Sequence, residues 1–148
     1  MIDSRKRVLF VCIGNACRSQ MAEAFARAYG SDVMVPASAG IYPADHVAPD
    51  TLRAMSEKNL DLRDHFPKHV RQVDHAPFDL IVNMSGSRLP KSESPVREWN
   101  VEDPVSMEYE DHCAIRDEIE RLVMNLVLEL RRQSGPVFRG QGSGRLKL

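Results

Sequence analysis

An apolar run that leads directly into a tight polar loop and then into a helix restricts the fold of this chain more than any other feature. Residues 8–11 are all apolar, with valine at both ends, as expected for a strand covered on both faces. Beyond a loop at residues 12–18, apolar side chains recur every four residues: Met21, Phe25 and Tyr29. This spacing predicts a helix that Gly30 is placed to end, with Glu23 and Arg27 paired on its solvent face.

The rest of the chain continues the alternation of short strands and helices. Strands are expected at residues 32–37, 80–82 and 97–101, and helices at residues 49–58 and 115–131. Such alternation favours right-handed βαβ units, and so an α/β domain whose parallel sheet has helices on both faces. Arg116 is expected on the solvent face of the last helix. We expect the domain to span residues 1–132 and the glycine-rich residues 133–148 to form a flexible tail.

Composition excludes several classes of protein. The chain has 148 residues, enough for one domain with a real core. Its 20 basic and 21 acidic residues nearly cancel, so a general nucleic-acid or membrane-surface binder is not expected. Three cysteines, no signal peptide and no long apolar segment favour a cytoplasmic protein. No metal site is expected, because the histidines are scattered: His46, His65, His69, His75 and His112.

The loop between the first strand and helix has the composition of an anion site. Ligands of parallel sheets bind beyond the carboxyl ends of the strands, where Cys12 lies. A loop from Cys12 to Arg18 can turn its backbone N–H groups inward, and the helix N-terminus adds partial positive charge. Gly14 and Asn15 are suited to the positive φ that such a turn needs. Arg18 can clamp two oxygens of a phosphate at once.

The same surroundings favour a reactive sulfur at Cys12. A cation and a helix N-terminus stabilise a thiolate, and the hydroxyl group of Ser19 can donate a further hydrogen bond to it. Phosphoryl transfer needs positioning and charge stabilisation above all, which this loop supplies. The alternative is structural, since a lone buried cysteine is usually a small apolar side chain. The order of strand, glycine, asparagine, arginine, serine and helix favours the functional interpretation.

Residues 12–19 resemble the phosphate-binding loop of the low-molecular-weight protein tyrosine phosphatases, which share their fold with thioredoxin-coupled arsenate reductases. The resemblance extends through residues 20–23, 38–40 and 103–104 and the last helix, and covers most of residues 7–131. It implies a four-stranded parallel sheet flanked by helices. It also implies that the phosphatase reaction needs no cofactor.

The resemblance assigns roles to individual residues. Cys12 is the nucleophile, Arg18 the phosphate clamp and Asp103 the general acid, while Asn15 and Ser19 support the loop and the thiolate. The substrate's phosphate is expected against the loop residues Ile13, Gly14, Asn15, Ala16, Cys17 and Arg18.

The residues themselves support Asp103 less strongly than Cys12. A leaving oxygen departs poorly unless it is protonated, and the same carboxyl group can then activate water. Pro104 stiffens the backbone beside this acid, although an ordinary Asp-Pro turn is the structural alternative. Cys17 is either a protective disulfide partner of Cys12 or a small packed side chain, and Cys113 is expected to be structural.

Two features separate the phosphatases from the reductases. The resemblance places a relay of two further cysteines after the strand at residues 80–82, but this chain has Ser85 and Leu89 near those places. The reductases also have a monovalent cation site, and Asn15, Glu23 and Ser38 match its ligands. Lys68 stands where the remaining acidic ligand would be, so we expect its ammonium group to replace the ion.

We therefore expect a cytoplasmic phosphomonoester hydrolase, most similar to the low-molecular-weight tyrosine phosphatases. Its substrate would be a phosphotyrosyl protein or a small aryl phosphate, and phosphate or vanadate would inhibit it. Tyr42 and Tyr109 are candidates to contact an aryl group. One alternative is an arsenate reductase that uses an external low-molecular-weight thiol. Another is a catalytically silent anion-binding module.

Overall fold

The computed structural model describes residues 3–73, 77–90 and 92–134, which form a four-stranded parallel sheet and three α-helices. The strands are β1 (Lys6–Cys12), β2 (Met34–Gly40), β3 (Leu80–Asn83) and β4 (Val96–Glu98). The helices are α1 (Arg18–Gly30), α2 (Pro49–Ser56) and α3 (Tyr109–Ser134). Two 3₁₀ turns, Val70–Gln72 and Pro104–Ser106, lie before β3 and after β4. The predicted α/β class with a four-stranded parallel sheet is thereby confirmed. Helices were predicted on both faces, but all three α-helices pack in the core cluster of one face, and a 3₁₀ turn packs on the other.

The sheet has the order β2-β1-β3-β4, so β1 lies between β2 and β3. Cys12 is paired with Gly40 of β2, and Val11 with Asn83 of β3. The carboxyl ends of the three strands therefore lie side by side. The strand order reverses at β1, and a crevice at such a point is where α/β proteins bind ligands.

The two faces of the sheet have separate cores. The first face, with Val8, Phe10 and Val82, packs in one cluster with apolar side chains of all three α-helices. The second face, with Leu9, Val11 and Ile81, packs against Phe78 and the region of the 3₁₀ turn Val70–Gln72. Burial of β1 on both sides explains its continuous apolar sequence.

Several predicted boundaries differ from those in the structure. β4 is the shortest strand and ends three residues before the predicted limit. Helix α3 continues to Ser134, two residues past the predicted end of the domain, and residues 135–148 of the predicted tail lie outside the described residues. Gly30 is the last residue of α1, and a Cβ there would come within 2.6 Å of Val127 Cγ2. This glycine therefore allows α1 and α3 to approach closely, which a local pattern cannot reveal.

Two charged side chains predicted on solvent faces are buried instead. Glu23 does pair with Arg27, with 2.7 Å between Oε2 and Nη2, but its other oxygen accepts a hydrogen bond from buried Ser38. Arg116 lies under α2 and donates to the carbonyl group of Ala54 at 2.9 Å. Both predictions were wrong because a partner on another element stabilises each charge inside the protein.

Candidate active site

The loop between β1 and α1 directs its carbonyl groups outward. The carbonyl oxygens of residues 12, 13, 14 and 16 accept hydrogen bonds from the N–H groups of residues 41, 42, 44 and 48, at 2.9–3.2 Å. Within the described part of the chain, the N–H groups of residues 13–17 have no acceptor. Consecutive N–H groups that face one way can form a concave anion-binding nest, which is the backbone arrangement that the sequence predicts. We call the loop with these N–H groups the cradle.

Only one loop residue uses the left-handed backbone conformation. Asn15 has a φ of 51°, whereas Gly14 does not have positive φ, so the prediction for Gly14 was wrong. A second glycine, missed in the sequence, is needed nearby. A Cβ at Gly40 would lie 2.5 Å from the carbonyl oxygen of Ile13 and 2.9 Å from the nitrogen of Asn15. Gly40 thus lets the end of β2 lie directly against the loop.

The side chain of Asn15 is buried and is held by hydrogen bonds to three residues on two segments, α1 and the chain at Lys68. Its Oδ1 accepts from the backbone N–H of Lys68 at 2.9 Å and from Nε2 of Gln20 at 3.1 Å. Its Nδ2 donates to Oγ of Ser19 at 2.7 Å. Because the amide is satisfied at both ends, the strained conformation of Asn15 is held in place. Asn15 thus contacts Ser19, and its role in supporting the loop and the thiolate stays a prediction.

Cys12 and Ser19 are in direct contact at the base of the loop. Sγ of Cys12 and Oγ of Ser19 are 2.9 Å apart, and both residues are buried. Because Oγ of Ser19 already accepts from Asn15, its own proton is free to point toward the sulfur. That arrangement directs a hydroxyl donor at the sulfur.

The guanidinium group of Arg18 is buried and anchored by backbone. Its Nη1 donates to the carbonyl oxygens of Met84 and Val101, after the ends of β3 and β4. Its Nε is buried without a partner among the described residues. The remaining edge of the group, Nε and Nη2, is the pair of donors that binds two oxygens of a tetrahedral anion. An unpaired buried donor costs about 1–3 kcal/mol, so this edge suits an oxyanion ligand.

Asp103 lies beside Arg18, at the start of the 3₁₀ turn Pro104–Ser106. Its Oδ2 is 3.5 Å from Nη2 of Arg18, and its Oδ1 accepts from the N–H of Val105 at 3.1 Å. The aspartate side chain is 40% exposed, so it can exchange protons with solvent. The structure thus brings Asp103 together with Arg18, as the sequence predicts.

The other two cysteines lie away from the open side of the cradle. Cys17 is a free buried thiol, and burial raises its pKa to about 11, while the neighbouring hydroxyl group of Thr51 acts in the opposite direction. This packing agrees with its structural interpretation, and the disulfide with Cys12 stays a prediction. Cys113 is also free and lies on α3, with Sγ 3.9 Å from Oε1 of Glu57.

Of the two tyrosines proposed to contact an aryl group, one is suitably placed. Tyr42 is 78% exposed, and its backbone N–H group donates a hydrogen bond to the carbonyl oxygen of Ile13. Tyr109 instead donates to Oε2 of Glu57 at 2.9 Å, and its ring lies 3.8 Å from the guanidinium carbon of Arg53. Tyr109 therefore braces α2 against α3.

Lys68 reaches the buried side of the loop, as expected. Its Nζ lies 3.5 Å from Oδ1 of Asn15 and donates to the carbonyl oxygen of Phe66 at 3.0 Å. Burial lowers the pKa of Lys68, and the negative charge of Glu23 acts in the opposite direction. The ammonium group thus lies close to two of the residues that match the cation ligands.

Replacing Lys68 with methionine is expected to lower the free energy of unfolding by about 1–3 kcal/mol, because acceptors under the loop lose a donor. Urea unfolding of K68M measures this loss, and K6M, at an exposed lysine, serves as the control. The wild-type protein should unfold at the same urea concentration in potassium and sodium chloride of equal strength. Stabilisation of the wild type by potassium alone would contradict the role of Lys68.

Two negative findings apply to residues 3–73, 77–90 and 92–134. They contain no group of three or more histidine, cysteine, aspartate or glutamate side chains arranged to hold a metal ion. No helix among them is both long enough and apolar enough to cross a membrane.

Comparison with known proteins identifies the family. Residues 7–135 match the family described as low molecular weight phosphotyrosine protein phosphatase. A putative arsenate reductase of Halobacterium salinarum is 35% identical over 84% of this chain and 92% of its own length. A structure of an arsenate reductase in the phosphate binding state has a TM-score of 0.77 and 26% identity, over 85% of this chain and 99% of that one.

A low molecular weight protein tyrosine phosphatase from T. tengcongensis has a TM-score of 0.72 and 26% identity, over 84% of this chain and 99% of that one. The similar proteins thus include both phosphatases and arsenate reductases, with arsenate reductases prominent among them. The match to residues 7–135 covers most of the chain and contains every element of the cradle. The chain belongs to the low-molecular-weight phosphotyrosine protein phosphatase family.

Proposed function

We propose that the chain hydrolyses phosphate monoesters through a covalent phosphocysteine at Cys12. The single observation that carries this proposal is the contact of Cys12 with Ser19 at the base of a nest of free N–H groups. Nucleophile and oxyanion donors then converge on one point, which is the geometry that phosphoryl transfer needs. The unpaired Nε of Arg18 supports the same proposal.

In the first half-reaction, the thiolate of Cys12 attacks phosphorus, and the bond from phosphorus to the ester oxygen breaks. The loop N–H groups and Arg18 hold the three other oxygens as charge spreads over them. Asp103, in its protonated form, gives its proton to the departing oxygen, which leaves as an alcohol or phenol. Its position beside Nη2 of Arg18 places the acid at the edge of the cradle.

In the second half-reaction, water replaces the leaving group. Asp103, now a carboxylate, accepts a proton from the water as its oxygen attacks phosphorus. The bond between phosphorus and sulfur breaks, inorganic phosphate leaves, and Cys12 is again a thiolate. Apart from water, all groups that the two half-reactions need are side chains or N–H groups of this chain, so the proposed mechanism uses no cofactor.

Apolar side chains beside the cradle favour an aryl substrate. Ile13 in the loop, Tyr42 after β2 and Val105 after Asp103 are 38%, 78% and 64% exposed. An aromatic leaving group can bury its ring against such side chains when its phosphate binds the loop. A phosphotyrosyl protein and a small aryl phosphate both have this chemistry. Inorganic phosphate and vanadate, which present tetrahedral or related oxyanions, should then compete for the loop.

Arsenate reduction with an external thiol is the second candidate, and the names of the similar proteins favour it over the phosphatase reaction. Cys12 would attack arsenate, and water would leave. An external thiolate would then attack the Cys12 sulfur, so that the electrons of the sulfur–arsenic bond pass to arsenic. Arsenic is reduced from As(V) to As(III), and two thiols are oxidised to a mixed disulfide. A second thiol would restore Cys12.

The reducing thiol would have to be external because the segment after β3 contains no cysteine. The only cysteine after Cys17 is Cys113, on α3. The segment after β3 is held instead by Asn83, whose Oδ1 accepts from the N–H and hydroxyl groups of Ser85 at 3.0 and 2.7 Å. A buried hydrogen-bonded turn thus stands where a relay of cysteines would begin.

One set of assays separates the candidates. The purified chain is given p-nitrophenyl phosphate, a phosphotyrosine peptide, or arsenate with glutathione or mycothiol, and initial rates are compared. We expect p-nitrophenol release that inorganic phosphate inhibits competitively. Rapid arsenite formation with negligible aryl phosphate turnover would reverse the order of the two candidates. If none of these substrates is turned over but inorganic phosphate still binds, the remaining candidate is a catalytically silent anion-binding module.

A further inference from the structure

A buried histidine beside the active site takes no part in the chemistry described above. His112 lies in the first turn of α3 and is 1% exposed. Its Nε2 is 2.9 Å from Oγ1 of Thr51, which is also fully buried in the first turn of α2. Burial lowers the pKa of His112, so the neutral ring is favoured.

The direction of the bond between Thr51 and His112 depends on the neighbouring cysteine. Thr51 is within hydrogen-bonding reach of Cys17, and the raised pKa of Cys17 means that its sulfur keeps its proton. The thiol can then donate to the oxygen of Thr51, which leaves the threonine proton to donate to Nε2 of His112. A neutral imidazole that accepts at Nε2 carries its proton on Nδ1.

This Nδ1 proton has no partner of hydrogen-bond geometry within the described residues. The neighbouring acceptor is the carbonyl group of Pro104, which acts to raise the pKa of His112. Pro104 directly follows Asp103 and begins the 3₁₀ turn that packs against α3. A buried donor without an acceptor costs about 1–3 kcal/mol. A hydrogen bond from Nδ1 of His112 to the carbonyl group of Pro104 is therefore favoured whenever the 3₁₀ turn moves toward the ring.

We propose that His112 is a positioning residue that directs Asp103 toward the leaving group, by donating from Nδ1 to the carbonyl oxygen of Pro104. The chain of bonds runs from Cys17 under the phosphate loop through Thr51 and His112 to the turn that carries the acid. It thereby ties the general acid to the cradle. This inference rests on the proposed function of Asp103 as proton donor.

The charged groups around the ring are compatible with a neutral His112. Asp50 of α2 and Asp103 favour its protonated form, while Arg116, one turn further along α3, disfavours it. Burial is the largest influence and also disfavours the charged form. The proton that His112 offers is therefore the single one of a neutral ring.

Two substitutions distinguish the roles of the two ring nitrogens of His112. In H112N the amide nitrogen can take the place of Nδ1, whereas in H112Q the amide group can reach only the place of Nε2. We measure kcat/KM, which reports the first half-reaction, for aryl phosphates whose phenols range from acidic to weakly acidic. H112Q should lose about tenfold to a hundredfold on the weakly acidic phenols and little on p-nitrophenyl phosphate, because the acid is misplaced. H112N should behave like the wild type.

Inhibition by inorganic phosphate should stay unchanged in both variants, because the loop and Arg18 are untouched. Equal losses in H112N and H112Q on every substrate would mean that His112 only packs, and would overturn the proposal. A nitrogen NMR spectrum of the wild-type ring provides a test that needs no turnover: we expect the proton on Nδ1, and a proton on Nε2 would also overturn it. If the loss of kcat/KM in D103N does not depend on the leaving group, Asp103 is not the proton donor, and the proposed function of Asp103 is contradicted. The NMR spectrum then still shows whether Nδ1 of His112 carries the proton that the hydrogen bond to Pro104 needs.

Discussion

Replacing Cys12 with serine is expected to lower turnover by at least about 10⁴-fold, while phosphate binding remains. A serine hydroxyl group is not ionised near neutral pH, so the covalent step loses its nucleophile. The anion is held instead by the free N–H groups of residues 13–17 and by Arg18, which the substitution leaves in place.

The measurements are p-nitrophenyl phosphate turnover and titration calorimetry with inorganic phosphate. The matched control is C113S, because Cys113 is a free cysteine on α3 that contacts Glu57 and not the loop. C113S should keep the activity of the wild type. Substantial activity in C12S would exclude the covalent route, and loss of phosphate binding in a folded C12S would contradict the assignment of the cradle.

The site was predictable where its chemistry is local in sequence. Seven consecutive residues contain the proposed nucleophile after a buried strand, a turn residue that tolerates positive φ and an arginine at the helix start. The strand before the loop and the helix after it fix the positions of these three residues, and the apolar pattern of the sequence predicts both elements. Asn15 rather than Gly14 takes the left-handed conformation, because its amide group also bonds Ser19 and Lys68.

The features that were missed depend on contacts between distant segments. Gly40 is required because the end of β2 lies against the phosphate loop, 25 residues later than Asn15. The anchors of Arg18 are carbonyl groups of Met84 and Val101, and no side-chain pattern marks a carbonyl group. Thr51 and His112 are 61 residues apart, and each alone is an ordinary helix residue. Only the fold brings these groups together.

The relationship to both named groups of relatives has a physical basis in the shared first step. Phosphate esters and arsenate are both tetrahedral oxyanions, so the nest of residues 13–17 and the edge of Arg18 suit either one. The two reactions separate only afterwards, at the group that attacks the covalent intermediate. In the proposed reactions the loop therefore bears on the first step of either one. Asp103 bears on both steps of ester hydrolysis, and the segment after β3 bears on the second step of arsenate reduction.

Replacing Asp103 with asparagine is the experiment that tests the acid directly. An amide group cannot give a proton to the departing oxygen, so kcat/KM for phenyl phosphate should fall by about 10²–10⁴-fold. The value for p-nitrophenyl phosphate should fall far less, because its phenolate leaves without protonation. The substitution preserves the size of the side chain and an oxygen that can accept from Val105, so the turn should keep its shape.

The control for this prediction is the neighbouring carboxyl group. Glu102 is exposed, and E102Q should leave both rates unchanged, which excludes a general effect of removing a negative charge near the cradle. Ordinary phosphate inhibition of D103N would show that the loop and Arg18 are intact. An equal loss on phenyl and p-nitrophenyl phosphate would remove Asp103 from the acid role, because a residue that only binds substrate or holds the turn affects both substrates alike.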